Sequence, residues 1–326
     1  MKRYIPIILI AMIFPVLLNA QFAKTGTAGL QFLKIGVDAR ATGMGEAYTA
    51  VSDDISSVYW NPAGLAMRPE NQIFFNHTEW VADIRYEFVS ASRVTDIGTF
   101  AFTAALLWMP PMEVTTEEAF GPTGEEFTAS DFSAGITYAS EFTDRFAFGM
   151  TAKYLRQNLD TYNVHGMSVD LGSRYNTGWR NLTIGMSLRN FGPDLEYDLS
   201  DQEPEYDPLE LTVEEMQFQL PMNFSLGLVM DVINREKEKL IVSAQLDNCV
   251  DRMETYNLGF EYALGQFKIR SGYQFNLDAA SYSAGFGWTI PTRTAIIDLD
   301  YSYADFGYLT ESFLRTPHRF SIKLFY

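Results

Sequence analysis

The chain of 326 residues contains one cysteine, Cys249, and three histidines, His77, His165 and His318. A single thiol cannot staple the fold with an internal disulfide, so Cys249 reads as a small residue near a loop. Histidines this few and this scattered do not build a histidine-rich metal site, and no cofactor is expected. Basic residues are also scarce, 24 Lys and Arg against 41 Asp and Glu, for a formal charge of −17. That balance disfavours nucleic acid as a partner, because phosphate contacts need clustered cations. Catalytic motifs are missing as well. There is no G-x-S-x-G elbow, and Gly43-Met44-Gly45 lacks the strand–glycine–helix setting of a nucleotide loop. His165 and Ser168 stand three apart, which on a strand puts them on opposite faces. The chain is therefore not read as an enzyme.

Long apolar runs are absent after the N-terminus, which excludes a bundle of transmembrane helices. The one apolar stretch, Tyr4 to Leu18, follows Lys2 and Arg3 and precedes Leu18-Asn19-Ala20. It is shorter than the roughly 20 residues that span a bilayer. Residues 1–20 read as a cleaved export signal, with Gln21 as the mature N-terminus. Loss of Lys2 and Arg3 takes the mature charge to −19.

What the chain does have is aromatic residues, 15% of the total, at a mean hydropathy of only −0.08. Large rings and a near-neutral average require fine interleaving of apolar and polar residues. From residue 71 onward the alternation has period 2, the mark of two-faced strands. Tyr256, Leu258, Phe260 and Tyr262 alternate with Thr255, Asn257, Gly259 and Glu261. Ala295, Ile297, Leu299, Tyr301 and Tyr303 alternate with Thr294, Asp298, Asp300 and Ser302 in the same way. Fourteen such segments lie near 72–80, 84–94, 98–108, 127–139, 145–158, 163–175, 179–190, 219–231, 238–247, 253–263, 266–275, 280–290, 293–303 and 318–326. Strands of about ten residues, even in number and aromatic near their ends, are the signature of a transmembrane barrel. Only a closed barrel leaves no unpaired sheet edge in lipid. The long connections, near 109–126, 191–218 and 304–317, all follow odd-numbered strands, so all three fall at one end. The expected fold is all-β, a transmembrane antiparallel β-barrel of about 14 strands (71–326) in the bacterial outer membrane. The last strand, Phe320 to Tyr326, ends on an aromatic residue and resembles the signal read by the barrel assembly machinery.

Residues 21–70 do not alternate. Ala39, Gly43, Gly45, Ala47 and Ala50 permit close backbone approach. Asp53 or Asp54 is placed to cap a short helix through Val58-Tyr59-Trp60. Asn61-Pro62 makes a turn, and Gly64 suits a helix end or a turn of positive φ. A compact small-residue segment before a wide barrel belongs inside it, as an N-terminal hatch or plug. The stretch TAGLQFLKIGVDARATGMGEAYTAVSDDISSVYWNPAGLA, from Thr27, resembles the PorV/PorQ branch of the FadL-like outer-membrane proteins. That resemblance implies a part in type IX protein secretion. In such a role the barrel receives cargo proteins with C-terminal secretion domains and presents them to a sortase-like surface peptidase. Implied partners are outer-membrane lipid, the type IX translocon, cargo and that peptidase. The alternative is a FadL-like transporter of hydrophobic small molecules.

The candidate hatch or gate residues are Arg40, Gly43, Gly45, Asp53, Asp54, Asn61, Pro62 and Gly64. Asn61, Pro62 and Gly64 read as a fixed turn that seats the segment, with the moving part of a gate as the other reading. Arg40, Asp53 and Asp54 read as an internal ion-pair set, with lumen charges such as Lys268, Arg270, Asp298 and Asp300 as other partners. Asp194 to Glu215 holds ten carboxylates and no Lys or Arg. Asp194, Glu196, Asp198, Asp201, Glu203, Glu205 and Asp207 mark it as a solvated partner loop, kept irregular by Pro193, Pro204 and Pro208. It has no EF-hand spacing, and no metal is expected. Trp80, Leu209, Leu211, Leu309 and Phe313 are offered as loop anchors for a protein partner, with girdle and loop packing as the other reading. The lumen faces of the segments from 238 onward read as mixed-charge and glycine-rich, without an apolar track, which favours secretion over transport.

Overall fold

The computed structural model describes residues 26–116, 122–160, 162–197, 217–276, 282–305 and 316–326. The export signal expected at 1–20 lies outside them. The strands are β1 (Gln72–Glu79), β2 (Arg85–Thr95), β3 (Gly98–Trp108), β4 (Met112–Thr115), β5 (Pro122–Phe127), β6 (Ala129–Thr143), β7 (Phe146–Leu159), β8 (Tyr162–Asn176), β9 (Thr183–Phe191), β10 (Leu195–Glu196), β11 (Gln217–Phe218), β12 (Asn223–Arg235), β13 (Glu238–Cys249), β14 (Thr255–Leu264), β15 (Phe267–Phe275), β16 (Tyr282–Pro291), β17 (Ile296–Ala304) and β18 (His318–Phe325). Fourteen of them form one closed antiparallel barrel, in the order β1-β18-β17-β16-β15-β14-β13-β12-β9-β8-β7-β6-β3-β2. Closure is made by β1 on β18, with Gln72 opposite Phe325 and Glu79 opposite His318.

The period-2 pattern sets which side chains face inward. On β14, Thr255, Asn257 and Glu261 are buried in the lumen, while Leu258 and Phe260 are exposed on the outer wall. On β18, Arg319, Ser321 and Lys323 point in, and Phe320 and Ile322 point out. The outward belt of large apolar side chains is the barrel's lipid surface. A one-residue slip in register would exchange the two faces and bury this belt in the lumen, so the alternation itself fixes the register.

The six strand-to-strand links at one end are short. One is the two-residue turn between β14 and β15, where Gly265 takes φ 58, as a tight hairpin requires. This is the turn end; the opposite, loop end carries the longer connections. Two of those are not wholly irregular. Met112–Thr115 pairs with Pro122–Phe127. Leu195–Glu196 pairs with Gln217–Phe218, so the acidic loop stands on a paired stem despite Pro193.

Residues 28–67 run through the lumen from the loop end to the turn end. Ala28 bridges to Gln219, just before β12, and the Gly29 N–H donates to the Gln219 carbonyl at 3.0 Å. A 3-10 turn follows at Gln31–Lys34, then short helices at Ala39–Gly43 and Ser57–Trp60, then a 3-10 turn at Pro62–Met67. The first helix packs on β15 to β18, and the Pro62–Met67 turn packs on β3 and β6 to β8, across the barrel. Contact with walls on opposite sides leaves no room for this inner segment anywhere but the lumen.

Candidate functional site

The inner segment is held first by backbone fit. Glycines on the lumen face of the wall stand where the segment's backbone touches. A Cβ added to Gly272 would collide with Gly45 N and Met44 C, and one on Gly172 with Asn61 Oδ1 and Pro62 N. Gly149, Gly185 and Gly259 meet the segment in the same way, at Pro62, Ala50 and Met44. Gly285 and Gly43 face each other, each Cβ position 3.1–3.2 Å from the other's Cα. Glycine at a strand interior marks such close approach. Gly45 also takes φ 63, a conformation costly for other residues.

Ion pairs lock the seat. Asp38 caps the first helix, accepting from the Arg40 N–H at 3.2 Å. Its carboxylate also meets Lys323 Nζ of β18 at 2.7 Å, and the same ammonium meets Asp54 at 2.8 Å. Arg40 reaches Asp53 at 2.6 Å, Asp54 at 3.2 Å and Glu261 of β14 at 2.9 Å. Arg270 of β15 ties Glu261 at 2.6 Å to Asp300 at 2.7 Å. Arg40 thus pairs both within the segment and with the wall. Its wall partner is Glu261, not the Lys268, Arg270, Asp298 or Asp300 suggested by the sequence. Lys268 and Asp298 pair with each other at 3.0 Å.

Burial alone would raise the carboxyl of Asp54, but Lys323 and then Arg40 override it and hold that carboxyl well below the usual range. Burial dominates at Asp38 and raises it, against Lys323. The Asp54 contribution is therefore complete above its unfolded pKa of about 3.9 and is lost only as pH falls through the depressed folded value. The raised Asp38 has the opposite sign and gains stability on protonation. Acidification from pH 7 to 5 should leave the segment seated, with the protease resistance of residues 28–67 unchanged.

The Asn61-Pro62 turn is a junction. Asn61 Nδ2 donates to Thr49 O at 2.8 Å and to Ser173 O of β8 at 3.0 Å, and its Oδ1 accepts from the Ala63 N–H. Pro62 starts the 3-10 turn, where its missing N–H costs nothing. Two sequence expectations fail here. Gly64 does not take a positive φ; glycine is needed because a Cβ would strike the Ser52 backbone. Neither Asp53 nor Asp54 caps the helix at Ser57. Its N-cap is Ser56, and Asp54 instead accepts from the Ser56 N–H at 2.9 Å, forming a turn one residue earlier.

At the loop end the lumen is apolar. Leu30, Phe32 and Leu33 of the segment pack on Tyr86, Phe88, Leu155 and Val164 of the wall, beneath Leu195 and Leu220. This apolar patch lies on β2 to β8, outside the later strands whose lumen faces the sequence shows as mixed-charge. The Asp194 and Glu196 side chains are exposed, while Leu195 between them is buried. Asp198, Asp201, Glu203, Glu205 and Asp207, with Leu209, Leu211, Leu309 and Phe313, lie outside the described residues. Trp80 is half-buried, with Arg319 5.4 Å above its ring, so it packs at the lumen mouth and is not a free anchor. Ser168 is buried inward while His165 is exposed and bonds Tyr154 at 2.6 Å, which keeps them apart. No cluster of three or more metal-ligating side chains occurs among the described residues.

Sequence reasoning missed the wall residues Glu261 and Lys323 as partners, and the seating role of Gly149, Gly172, Gly185 and Gly272. The signal that marks them is a glycine or lone charge on the lumen face of a strand.

In fold, the chain is similar to the toluene transporter TodX of Pseudomonas putida, with a TM-score of 0.57 and 13% identity over 89% of this chain and 96% of that one. It is also similar to the monoaromatic hydrocarbon channel CymD, with a TM-score of 0.53 and 12% identity over 89% and 96%. No curated protein matches by sequence. The family model for type IX secretion system protein PorV matches residues 19–251. An outer-membrane barrel of FadL-like fold, matched over most of its length by that model, belongs to the PorV family.

Proposed function

We propose that this chain is a docking barrel of type IX secretion, binding cargo or the surface-attachment peptidase at its loop end and passing nothing through its lumen. Residues 1–20 are the export signal, 21–70 the hatch and 71–326 the barrel. The loop end faces the cell exterior, as long connections do in bacterial barrels. The observation that carries the reading is the filled lumen. Backbone-to-wall contact and a buried ion network are what a static plug needs, whereas a mobile gate would pay to break them. The acidic loop supplies the docking polarity. It steers a partner with a basic patch, at an association rate that falls as salt rises.

Replacing residues 198–216 with a short Gly-Ser linker tests this. The described stem, with Leu195 buried and β10 on β11, is left intact, so the barrel should assemble and keep its heat-modifiable migration. Release or anchoring of cargo should fall at least several-fold. Normal secretion from this variant would count against loop-end docking. The apolar wall at Tyr86 and Phe88 favours a second reading, a transporter of hydrophobic molecules. That reading requires uptake to fail when the segment is fixed in place.

A further inference from the structure

Three arginines stand near the loop end of the lumen, where the ion network described above does not reach. Arg189 comes from the end of β9, Arg252 from the turn after β13 and Arg319 from the start of β18. All three bear electrostatically on one inner-segment carboxyl, Glu46. Arg189 is 7% exposed and Arg319 2%. Yet among the described residues none of the three has a carboxylate within 4.0 Å. Nε of Arg189, Nε of Arg252 and Nη1 of Arg319 are buried donors without an acceptor.

The neighbouring acids are already engaged. Asp170 is held by Lys153 at 2.8 Å and by the Asn190 N–H at 2.7 Å. Asp247 accepts from Ser225, Gln245 and Asn257, and Asp251 pairs with Lys34 at 2.8 Å. The other bonds of the arginines are to neutral groups. Arg189 stacks 4.9 Å over Tyr59 and 5.2 Å over Trp60, and Asn223, with its amide oriented for bonding, accepts from its Nη2 at 2.7 Å. Arg319 Nε donates to Gly36 O at 3.1 Å.

Arg189 is presented by a distortion of the wall. The register of β8 on β9 shifts between Val169 and Leu171, and Asn190 takes φ 59. The bulge turns both Arg189 and Asn190 inward, onto a cavity. Leu33, Tyr86 and Phe88 line it, together with Arg189, Asn190 and the paired Lys153 and Asp170. A buried guanidinium with an open donor beside an apolar wall fits one chemistry, a carboxylate carried on a short apolar group.

We propose that the loop-end lumen binds such a carboxylate, anchored on Arg189, with Arg319 and Arg252 as flanking donors. The acid has two sources, a free small acid or the C-terminal carboxylate of a polypeptide. The site stands whether or not cargo docks on the loops.

The test is titration of the detergent-solubilised barrel with isovalerate, isovaleramide, and the acid and amide forms of a tripeptide ending in leucine, followed by tryptophan fluorescence. Trp60 and Trp80 stand under Arg189 and Arg319. Each acid that binds should do so at least tenfold more tightly than its amide, and Arg189→Gln should lower that affinity at least tenfold with heat-modifiable migration unchanged. Arg319→Gln should give a smaller loss and serves if the first variant does not fold. A peptide acid tighter than isovalerate assigns the source to a chain terminus; the reverse assigns it to a small acid. Equal binding of acid and amide, unchanged affinity in both variants, or no binding of any probe overturns the site.

Discussion

Lys323→Ala should unseat the inner segment without opening the barrel wall. The ammonium stands between Asp38, Asp54 and Asp300, at 2.7, 2.8 and 3.9 Å, and is fully buried. Its removal leaves three carboxylates in a dry site with one cation fewer. A buried pair broken from one side costs about 3–5 kcal/mol, because the abandoned charges find no water. The β18 ladder is untouched, since Lys323 pairs with β1 and β17 through its backbone. Limited proteolysis of the folded barrel should then cut between 28 and 67, where the native protein should resist, while heat-modifiable migration survives. A protease-resistant Lys323→Ala would show that backbone fit alone seats the segment.

Gly272→Val should have an effect of similar size by a different route. The wall and the segment meet there backbone to backbone, at Gly45 and Met44, so no flexible side chain can yield. Overpacking of this kind costs on the order of 3 kcal/mol, taken from the seat of the Met44–Gly45 turn. Gly265→Val is the control for added bulk, because nothing lies within 4 Å of its Cβ position, though its φ of 58 carries its own local strain. Protease sensitivity of residues 28–67 should rise in the first variant and not in the second. Equal resistance of both would mean that Gly45 is not pressed on the wall.

The barrel was legible in the sequence because each strand has two environments and only two. Phe260 next to Glu261, or Ile322 next to Lys323, declares a lipid face and a lumen face one residue apart, and no tertiary knowledge is needed to sort them. The inner segment was legible as a compact, small-residue stretch for the same local reason. Partners were not legible. Lys323 and Asp54 are 269 residues apart, and nothing in either neighbourhood names the other. The glycines of the lumen face are visible in the sequence, but their purpose depends on a second backbone lying against them. Tyr86 and Phe88 alternate with Glu87, a pattern that suits an outward girdle as well as an inward patch. Only the register of β2 on β1, with Phe88 opposite Asn76, puts the rings inside. Gly64 shows the limit of conformational reasoning about glycine, since space and not φ required it.

The most direct measurement of the central claim fixes the segment in place covalently. Thr42 Oγ1 and Ser302 Oγ lie 2.7 Å apart, one on the inner segment and one on β17, so Thr42→Cys with Ser302→Cys places two thiols for a disulfide. With the bond formed, and its presence confirmed by mass spectrometry, cells should secrete and anchor cargo as the native strain does, since no passage through the lumen is required. Loss of function in the oxidised barrel, restored by a reductant, would contradict the account and assign the work of this protein to a moving segment.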